Sequence, residues 1–335
     1  MSTIPQAEIA VPFPDELPPG YAWLPDEPAF DADRHLALEV PASALTLSDL
    51  GYDDAEIATK ATPFAASAPF RVLSDEGAEI MLDVARRLKQ FVRPAGDRIE
   101  NTVRGGVYRS RWLADLSISP ELTAHFASIY GVSVAPHPMP VHLAHLNYEP
   151  TTLDTAVDKW HHDTIPLDMV MMVTDPTTTP GGQFEYFLGT KAEMAELRAN
   201  GELPPLDRVV APPFDGPGYA IALHGDMVVH RGAPLDAPAE RITMVNGYVA
   251  ADTSTDEQSR SRDLIGIDDN NTLYTEWAKF VAWRSRGRLD QLIADLDFTP
   301  NVDSVTAELE NAIADVRQAI DEMRAGPRPA EHYER

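Results

Sequence analysis

The chain has 335 residues, of which 44% are hydrophobic, and this is enough to bury the core of one large domain. Its formal charge of −26 argues against nucleic acid and membranes as partners, and since neither a membrane-spanning run nor a signal peptide is visible, we expect a cytoplasmic protein. The chain has no cysteine, which excludes disulfides and thiolate chemistry, so any metal must be held by His, Asp or Glu.

The first part of the chain, residues 1–138, is predicted to form an arm followed by a helical flank. Residues 1–35 are rich in Pro, Asp and Glu, which is typical of an extended, partly ordered segment. Apolar residues recur every fourth position over 73–93 and predict a helix. A second short helix is predicted over 119–130, where a serine cap precedes a proline at the first helical position.

The middle of the chain, residues 139–252, changes to short apolar segments separated by Pro, Gly, Asp and Thr. Short strands at regular spacing with turn signals between them are typical of a β-sandwich or a double-sheet jelly roll. The segments predicted as strands are 141–148, 167–174, 183–188, 218–223, 227–230 and 241–250.

The last part, residues 253–335, is predicted to be a helical region of the same domain, with helices over 273–296 and 302–323. The apolar seam of the second helix is short, so packing on its own domain is favoured over a homodimer contact, which stays an alternative. Three arginines near the first helix could guide an anionic substrate, but a solvated face is the favoured interpretation. They are Arg284, Arg286 and Arg288.

A His-x-Asp motif, His161 and Asp163, carries the first sign of chemistry. On an extended strand, side chains two positions apart point to one face, so both can reach one ion. They could supply two ligands of a 2-His-1-carboxylate facial triad, with a third His from elsewhere. The motif alone is weak, because a second one occurs at His224 and Asp226. The glycine between those two predicts a turn of ordinary polar residues.

Residues further along the chain favour the first motif. His230 lies on a candidate strand after a strand-rich interval, and Arg241 opens the next strand. If these strands are neighbours, the guanidinium can point into the same pocket, where its planar set of donors suits a carboxylate. Thr243 shares the face of Arg241 and could donate its hydroxyl to the same group.

The order His161-x-Asp163, His230, then Arg241-x-Thr243 resembles the Fe(II)/2-oxoglutarate-dependent oxygenase superfamily. Segments 181–190 and 230–248 are similar to its phytanoyl-CoA-dioxygenase-like and related bacterial branches, and the resemblance covers about 140–250. It implies a mainly β double-stranded β-helix (a cupin-like jelly roll) as the catalytic core, with flanking α-helices.

The resemblance also implies cofactors and roles for residues. His161, Asp163 and His230 would ligate iron. Arg241, Thr243 and, on a preceding strand, Asn147 would contact the cosubstrate 2-oxoglutarate. With O2, such an enzyme oxidises an unactivated C–H bond of a small-molecule substrate and releases succinate and CO2. Halogenating relatives replace the carboxylate ligand, so its presence points to hydroxylation, desaturation or another oxidation.

Two further residues, Trp160 and His145, are weak candidates for contact with the substrate. A tryptophan beside a ligand is more often part of the core, and His145 is more often structural than pocket-lining. Two other functions stay open. One is a different cupin-type metalloenzyme, such as a cofactor-independent dioxygenase or a hydrolase, and the other is a non-catalytic jelly-roll binding protein. A carboxylate clamp at Arg241 distinguishes the oxygenase from the first of these.

Overall fold

A computed structural model of the protein describes residues 10–153 and 155–334. Most of its strands lie in the middle of the chain and most of its helices at the two ends. The strands are β1 (Ala44–Thr46), β2 (Phe64–Ser67), β3 (Phe70–Arg71), β4 (Arg93–Ala95), β5 (Ile99–Val103), β6 (Val134–Pro136), β7 (His145–Tyr148), β8 (Ala156–His161), β9 (Leu167–Met172), β10 (Phe184–Phe187), β11 (Val209–Val210), β12 (Tyr219–Leu223), β13 (His230–Pro234) and β14 (Ile242–Ala250). The helices are α1 (Ala32–His35), α2 (Asp54–Ile57), α3 (Asp75–Leu88), α4 (Arg111–Ser117), α5 (Pro120–Tyr130), α6 (Lys191–Asn200), α7 (Asn270–Asp295), α8 (Val302–Ala312) and α9 (Ala314–Ala325).

Strands β7 to β14 wind between two antiparallel sheets. The large sheet has the order β1-β2-β12-β9-β14-β7-β5-β4, with β3 beside β12 and β6 beside β14, and the small sheet has the order β11-β10-β13-β8. Successive strands from β7 to β10 alternate between the sheets, and β11 to β14 do so in the same way. This is a double-stranded β-helix, so the predicted fold class is confirmed.

The central strands of the large sheet are buried on both faces. In β9, Met169 and Met171 pack against helices α3 to α5, whereas Val170 and Met172 face the small sheet. A strand covered on both faces needs apolar residues at every position, which explains the continuous apolar run at 167–174. The site described below lies between the two sheets.

The predicted helices and strands differ from the structure at several places. The two helices predicted over 73–93 and 119–130 are present as α3 and α5, and both are shorter than the predicted ranges. The strand predicted over 227–230 is wrong for its first three residues, because a turn closes there and β13 begins only at His230. Strands β1 to β6, β8 and β11 were not predicted as segments, since each is short or mixes polar and small residues.

The N-terminal arm is described from residue 10, and it packs Phe13, Leu24 and Phe30 on the core. Residues 1–9 of the predicted arm lie outside the described part of the chain.

The C-terminal helices pack on the domain itself. Helix α9 places Ala319 against an apolar cluster with Trp277 of α7, with Val316 and Met323 beside it. The predicted helix over 302–323 is two helices, because Ile313 leaves helical geometry. A homodimer contact through these helices stays an untested alternative. No helix in the described residues is long and apolar enough to cross a membrane.

The arginines of α7 are not all on a solvated face, so that interpretation is wrong for two of the three. Arg284 is only 2% exposed and its Nε donates to Asp315 at 2.7 Å. Arg288 donates to the carbonyl of Thr253 at 2.9 Å, whereas Arg286 is exposed. Burial and pairing make Arg284 a structural residue that fastens α7 to α9.

Candidate metal centre

Three side chains predicted as metal ligands converge between the sheets. His161, Asp163 and His230 are all buried, and one ligand atom from each lies within 4.8 Å of the others. Across residues 10–153 and 155–334 they form the one group of three or more His, Asp and Glu side chains with this geometry. His161 ends β8, Asp163 follows two residues later, and His230 begins β13, directly opposite His161 in register.

Backbone carbonyls fix which nitrogen of each imidazole faces the centre. Nδ1 of His161 lies 2.6 Å from the carbonyl oxygen of Lys159, and Nδ1 of His230 lies 3.0 Å from that of Val228. A carbonyl oxygen can only accept, so both Nδ1 atoms carry the proton and both Nε2 lone pairs are available to a metal. The Nε2 atoms lie 3.3 and 3.4 Å from the two carboxylate oxygens of Asp163.

The ionisation of these groups suits metal binding. Burial lowers the pKa of His161 to about 3, with the charge of Arg98 adding to this, and burial also lowers the pKa of His230, so both imidazoles are neutral. Burial disfavours the charged form of Asp163, whereas positive charge at the two imidazoles and at Arg98 lowers the pKa of this carboxyl well below its usual range. Because both imidazoles are neutral, a metal ion held by them would supply this positive charge. Two neutral imidazoles and one carboxylate form a donor set for a divalent metal.

The second His-x-Asp motif supports the first instead of competing with it. The carbonyl oxygen of Gly225 accepts the N–H of Asp163 at 2.8 Å. A Cβ at this glycine would lie 1.9 Å from Oδ2 of Asp168, so no larger residue fits there. The predicted turn is confirmed, but His224 and Asp226 are 2% and 0% exposed and are not ordinary surface polar residues. The turn at Gly225 therefore fixes the backbone of Asp163 through this hydrogen bond.

Arg241 and Thr243 lie in the same cavity as the three candidate ligands. Arg241 is 5% exposed, its Nε donates to the carbonyl of Gly182 at 3.0 Å, and its Nη1 donates to Oγ1 of Thr243 at 3.0 Å. Burial lowers the pKa of Arg241 to about 10, which leaves the guanidinium charged at neutral pH. Asn147 on β7 is directly opposite Thr243 on β14. We call this space the central cavity; the residues that define it are Asn147, His161, Asp163, His230, Arg241 and Thr243.

Two residues of the central cavity were missed by sequence reasoning. Arg98, from the turn between β4 and β5, places Nε 3.0 Å from Oδ1 of Asp158 on β8. That oxygen lies 3.4 Å from Nδ1 of His161. Burial raises the pKa of Asp158 to about 7, although the charge of Arg98 works against this. Nothing in the sequence around Arg98 signals a site, because its partners are contributed by a different part of the chain.

The two weak candidates for substrate contact have different positions. His145 shares the inner face of β7 with Asn147 and lines the central cavity. Trp160 points to the other side of the small sheet, where it packs with Phe187, Met194 and Val229. The structure therefore places Trp160 in a separate apolar cluster and does not bring it to the site.

The similarity of this chain to known proteins is a similarity of fold. No family model matches the chain, and no curated protein matches it. Among solved structures, it is similar to the non-haem, α-ketoglutarate-dependent carbocyclase SnoK from nogalamycin biosynthesis (16% identity, 63% of this chain and 88% of that chain, TM-score 0.42). It is also similar to EctD from S. alaskensis with bound Fe (17% identity, 67% and 83%, TM-score 0.39) and to HygX from Streptomyces hygroscopicus with nickel and 2-oxoglutarate bound (14% identity, 62% and 88%, TM-score 0.40). At such identities and scores, an assignment of function must rest on the chain's own side chains.

Proposed function

We propose that the chain is an Fe(II)- and 2-oxoglutarate-dependent oxygenase that hydroxylates, or otherwise oxidises, a C–H bond of a small molecule. The observation that carries this proposal is the convergence of His161, Asp163 and His230 in one cavity with the buried pair Arg241 and Thr243. The first group suits a metal, and the second suits a carboxylate.

The residues present fit iron. Two imidazole nitrogens and one carboxylate on one side of a cation form the facial triad of non-haem Fe(II) sites, which leaves positions for further ligands. When bound, iron together with 2-oxoglutarate and O2 supplies the oxidising chemistry. One oxygen atom of O2 ends in succinate and the other in the hydroxylated product, and the C1 carboxylate of 2-oxoglutarate leaves as CO2. The protein's part is to bind, to orient and to exclude water.

Arg241 has the donors that a distal carboxylate needs. Its Nε–H is used by the Gly182 carbonyl and one Nη1–H by Thr243, which leaves the N–H groups of Nη2 and the second of Nη1. Since Oγ1 of Thr243 accepts from Arg241, its own O–H can be donated to a ligand. Asn147 accepts from Thr102 through Oδ1 at 3.0 Å, so its amide N–H groups also remain for a ligand.

The same arrangement argues against the other cupin-type functions. A hydrolase or a cofactor-independent dioxygenase needs the metal ligands but has no use for a buried guanidinium prepared for a carboxylate. A binding protein without catalysis has no need of two imidazoles whose Nδ1 protons are fixed by backbone carbonyls. The combination of both features favours the oxygenase.

Succinate release tests the proposal. The purified native chain should convert 2-oxoglutarate to succinate and CO2 only when Fe(II) and O2 are both supplied. Asp163→Ala should release no succinate above background, since it removes the charged ligand. Asp207→Ala, at an exposed aspartate, should behave as the native chain. Native chain that releases no succinate, or equal release from Asp163→Ala, would contradict the proposed function.

A further inference from the structure

A second cavity adjoins the candidate metal centre, and we call it the side cavity. Arg98, His145 and Asp163 line both the side cavity and the central cavity, so the two spaces meet at the metal ligand Asp163. Arg241 is not among the described residues that line the side cavity. The side cavity is therefore distinct from the space assigned to the cosubstrate. The other lining residues used here are Ile99, Arg104, His142, Ile165, Asp263 and Leu264.

Three of the side chains that line this space carry buried polar atoms without hydrogen-bond partners. The Arg104 side chain is 9% exposed and its Nε donates to Oδ1 of Asp268 at 2.7 Å, but its Nη2 has no hydrogen-bond partner in the described structure. Nε2 of His142 and Nδ1 of His145 likewise lack partners there, although these side chains are only 1% and 5% exposed. Buried polar atoms are ordinarily satisfied. One guanidinium donor and two imidazole nitrogens left unpaired in the lining of one cavity therefore indicate a ligand that completes them.

The ion pairs that Arg104 itself belongs to leave one positive charge uncompensated. Arg93 and Arg104 both pair with Asp268, at 3.2 and 2.7 Å, so two guanidinium groups share one carboxylate. Two acidic side chains line the inner wall of the cavity. Asp263 is paired with Arg328 through Oδ1, although its Oδ2 has no hydrogen-bond partner in the described structure. Asp163 is the proposed metal ligand, where a bound cation would offset its charge. Glu331 also lines the side cavity, but it is exposed, where solvent weakens its field. Positive charge therefore exceeds negative charge only at the end of the cavity beside Arg104, which suits the anionic group of a ligand at that end.

We propose that the side cavity binds the molecule that the enzyme oxidises, and that this molecule is a small aliphatic carboxylic acid whose carboxylate is held by Arg104. This inference rests on the function proposed above. The carboxylate would accept from Nη2 of Arg104, and the hydrocarbon part would lie against Ile99, Ile165 and Leu264. This orientation brings a C–H bond of the substrate toward the side of the metal centre at Asp163.

A panel of small aliphatic carboxylic acids, each paired with its primary amide, tests the proposal. Each compound is added to native chain supplied with Fe(II), 2-oxoglutarate and O2, and succinate release is measured. We expect one or more acids to accelerate release and the matching amides not to. Arg104→Gln should raise the acid concentration for half-maximal acceleration by about 30-fold or more, as expected for the loss of one partner of a buried charge pair.

Arg93→Gln is the matched control, because Arg93 pairs with the same Asp268 but does not line the side cavity. It should leave the response to the acid close to native. If Arg104→Gln fails to fold, Arg104→Lys replaces it in the comparison with Arg93→Gln. The lysine keeps the charge but loses the planar donor set, so we expect a smaller rise in the acid concentration for half-maximal acceleration.

Three results would overturn the proposal. They are acceleration by no acid, equal acceleration by the amides, and equal weakening by Arg93→Gln and Arg104→Gln. Binding of 2-oxoglutarate to the Mn(II)-loaded Arg104 variant, measured by calorimetry, separates this failure from failure of the proposed function. That binding stays native-like if only the substrate assignment is wrong, whereas a native chain that neither binds nor consumes 2-oxoglutarate removes the oxygenase function itself.

Discussion

His161 and His230 face each other across the hydrogen-bonded pair β8 and β13, with their ring centroids 4.2 Å apart. The spacing of the two candidate nitrogen ligands is therefore fixed by a sheet and not by loops. A site carried on regular strands holds its side chains more precisely than one on loops, so the two candidate ligands are already in position to bind a metal.

Removal of either imidazole should abolish metal binding. Mn(II) titration followed by electron paramagnetic resonance should show a tight site in the native chain and none in His161→Ala or His230→Ala. His162→Ala is the matched control, since Nδ1 of His162 lies 2.8 Å from the hydroxyl of Tyr333 and this ring is not one of the candidate ligands. Tight binding by His230→Ala would contradict the assigned ligand set.

Loss of the guanidinium should affect 2-oxoglutarate and spare the metal. In Arg241→Ala, we expect the half-saturating concentration of 2-oxoglutarate to rise by about 30-fold or more, because a buried charge pair with the carboxylate is lost. Mn(II) affinity should stay native-like. Arg241→Lys keeps the positive charge but loses the planar donor set of the guanidinium. Its half-saturating concentration of 2-oxoglutarate should therefore lie between those of the native chain and Arg241→Ala. An unchanged 2-oxoglutarate requirement in Arg241→Ala would show that the carboxylate binds elsewhere.

The order of the site residues was predictable from the sequence, but the local geometry was not. His161, Asp163, His230 and Arg241 could be found because their residue types match one chemistry and lie on strand-like segments. The register of β8 shifts against β13 between His161 and Asp158, so both of these side chains face the cavity although they are three positions apart. Strict alternation along a strand predicts opposite faces for such a pair, so a β-bulge of this kind hides Asp158 from sequence reasoning.

Long-range packing set the other limits of prediction. Arg98 reaches the site because β5 pairs with β7 in the large sheet, a contact between distant segments that periodicity does not encode. The arginines of α7 show the same limit. Their spacing gave no sign that Arg284 would be buried by α9. When charged residues occur all round a helix, the sequence does not show which face is buried until the neighbouring elements are known.

The buried histidine His137 should make stability depend on pH. Burial, helped by the charge of Arg104, lowers its pKa to about 3, whereas an unfolded chain has a histidine pKa of about 6.5. Between these values only the unfolded chain takes up the proton, so stability falls as the pH falls, by at most about 1.4 kcal/mol per pH unit. Urea unfolding across this window should show a shallower pH slope for His137→Gln than for the native chain. Equal slopes would mean that His137 does not contribute.

The buried arginine of α7 should matter for stability, while its exposed neighbour should not. Arg284 donates to the carbonyl of Thr255 at 3.1 Å as well as to Asp315. Arg284→Ala leaves these acceptors without their donor and should lower the free energy of unfolding by about 3–5 kcal/mol. Arg286→Ala should change it by no more than about 0.5 kcal/mol. Similar urea midpoints for the two variants would refute the structural role of Arg284.

The position of a bound metal would show whether His161, Asp163 and His230 hold the same ion. A crystal grown without oxygen, with Mn(II) and 2-oxoglutarate, should give an anomalous peak bonded to Nε2 of His161, a carboxylate oxygen of Asp163 and Nε2 of His230. The distal carboxylate of 2-oxoglutarate should lie on Arg241 and Thr243. A crystal with these three side chains free of metal would contradict the proposed metal centre, and 2-oxoglutarate bound away from Arg241 would contradict the proposed cosubstrate site.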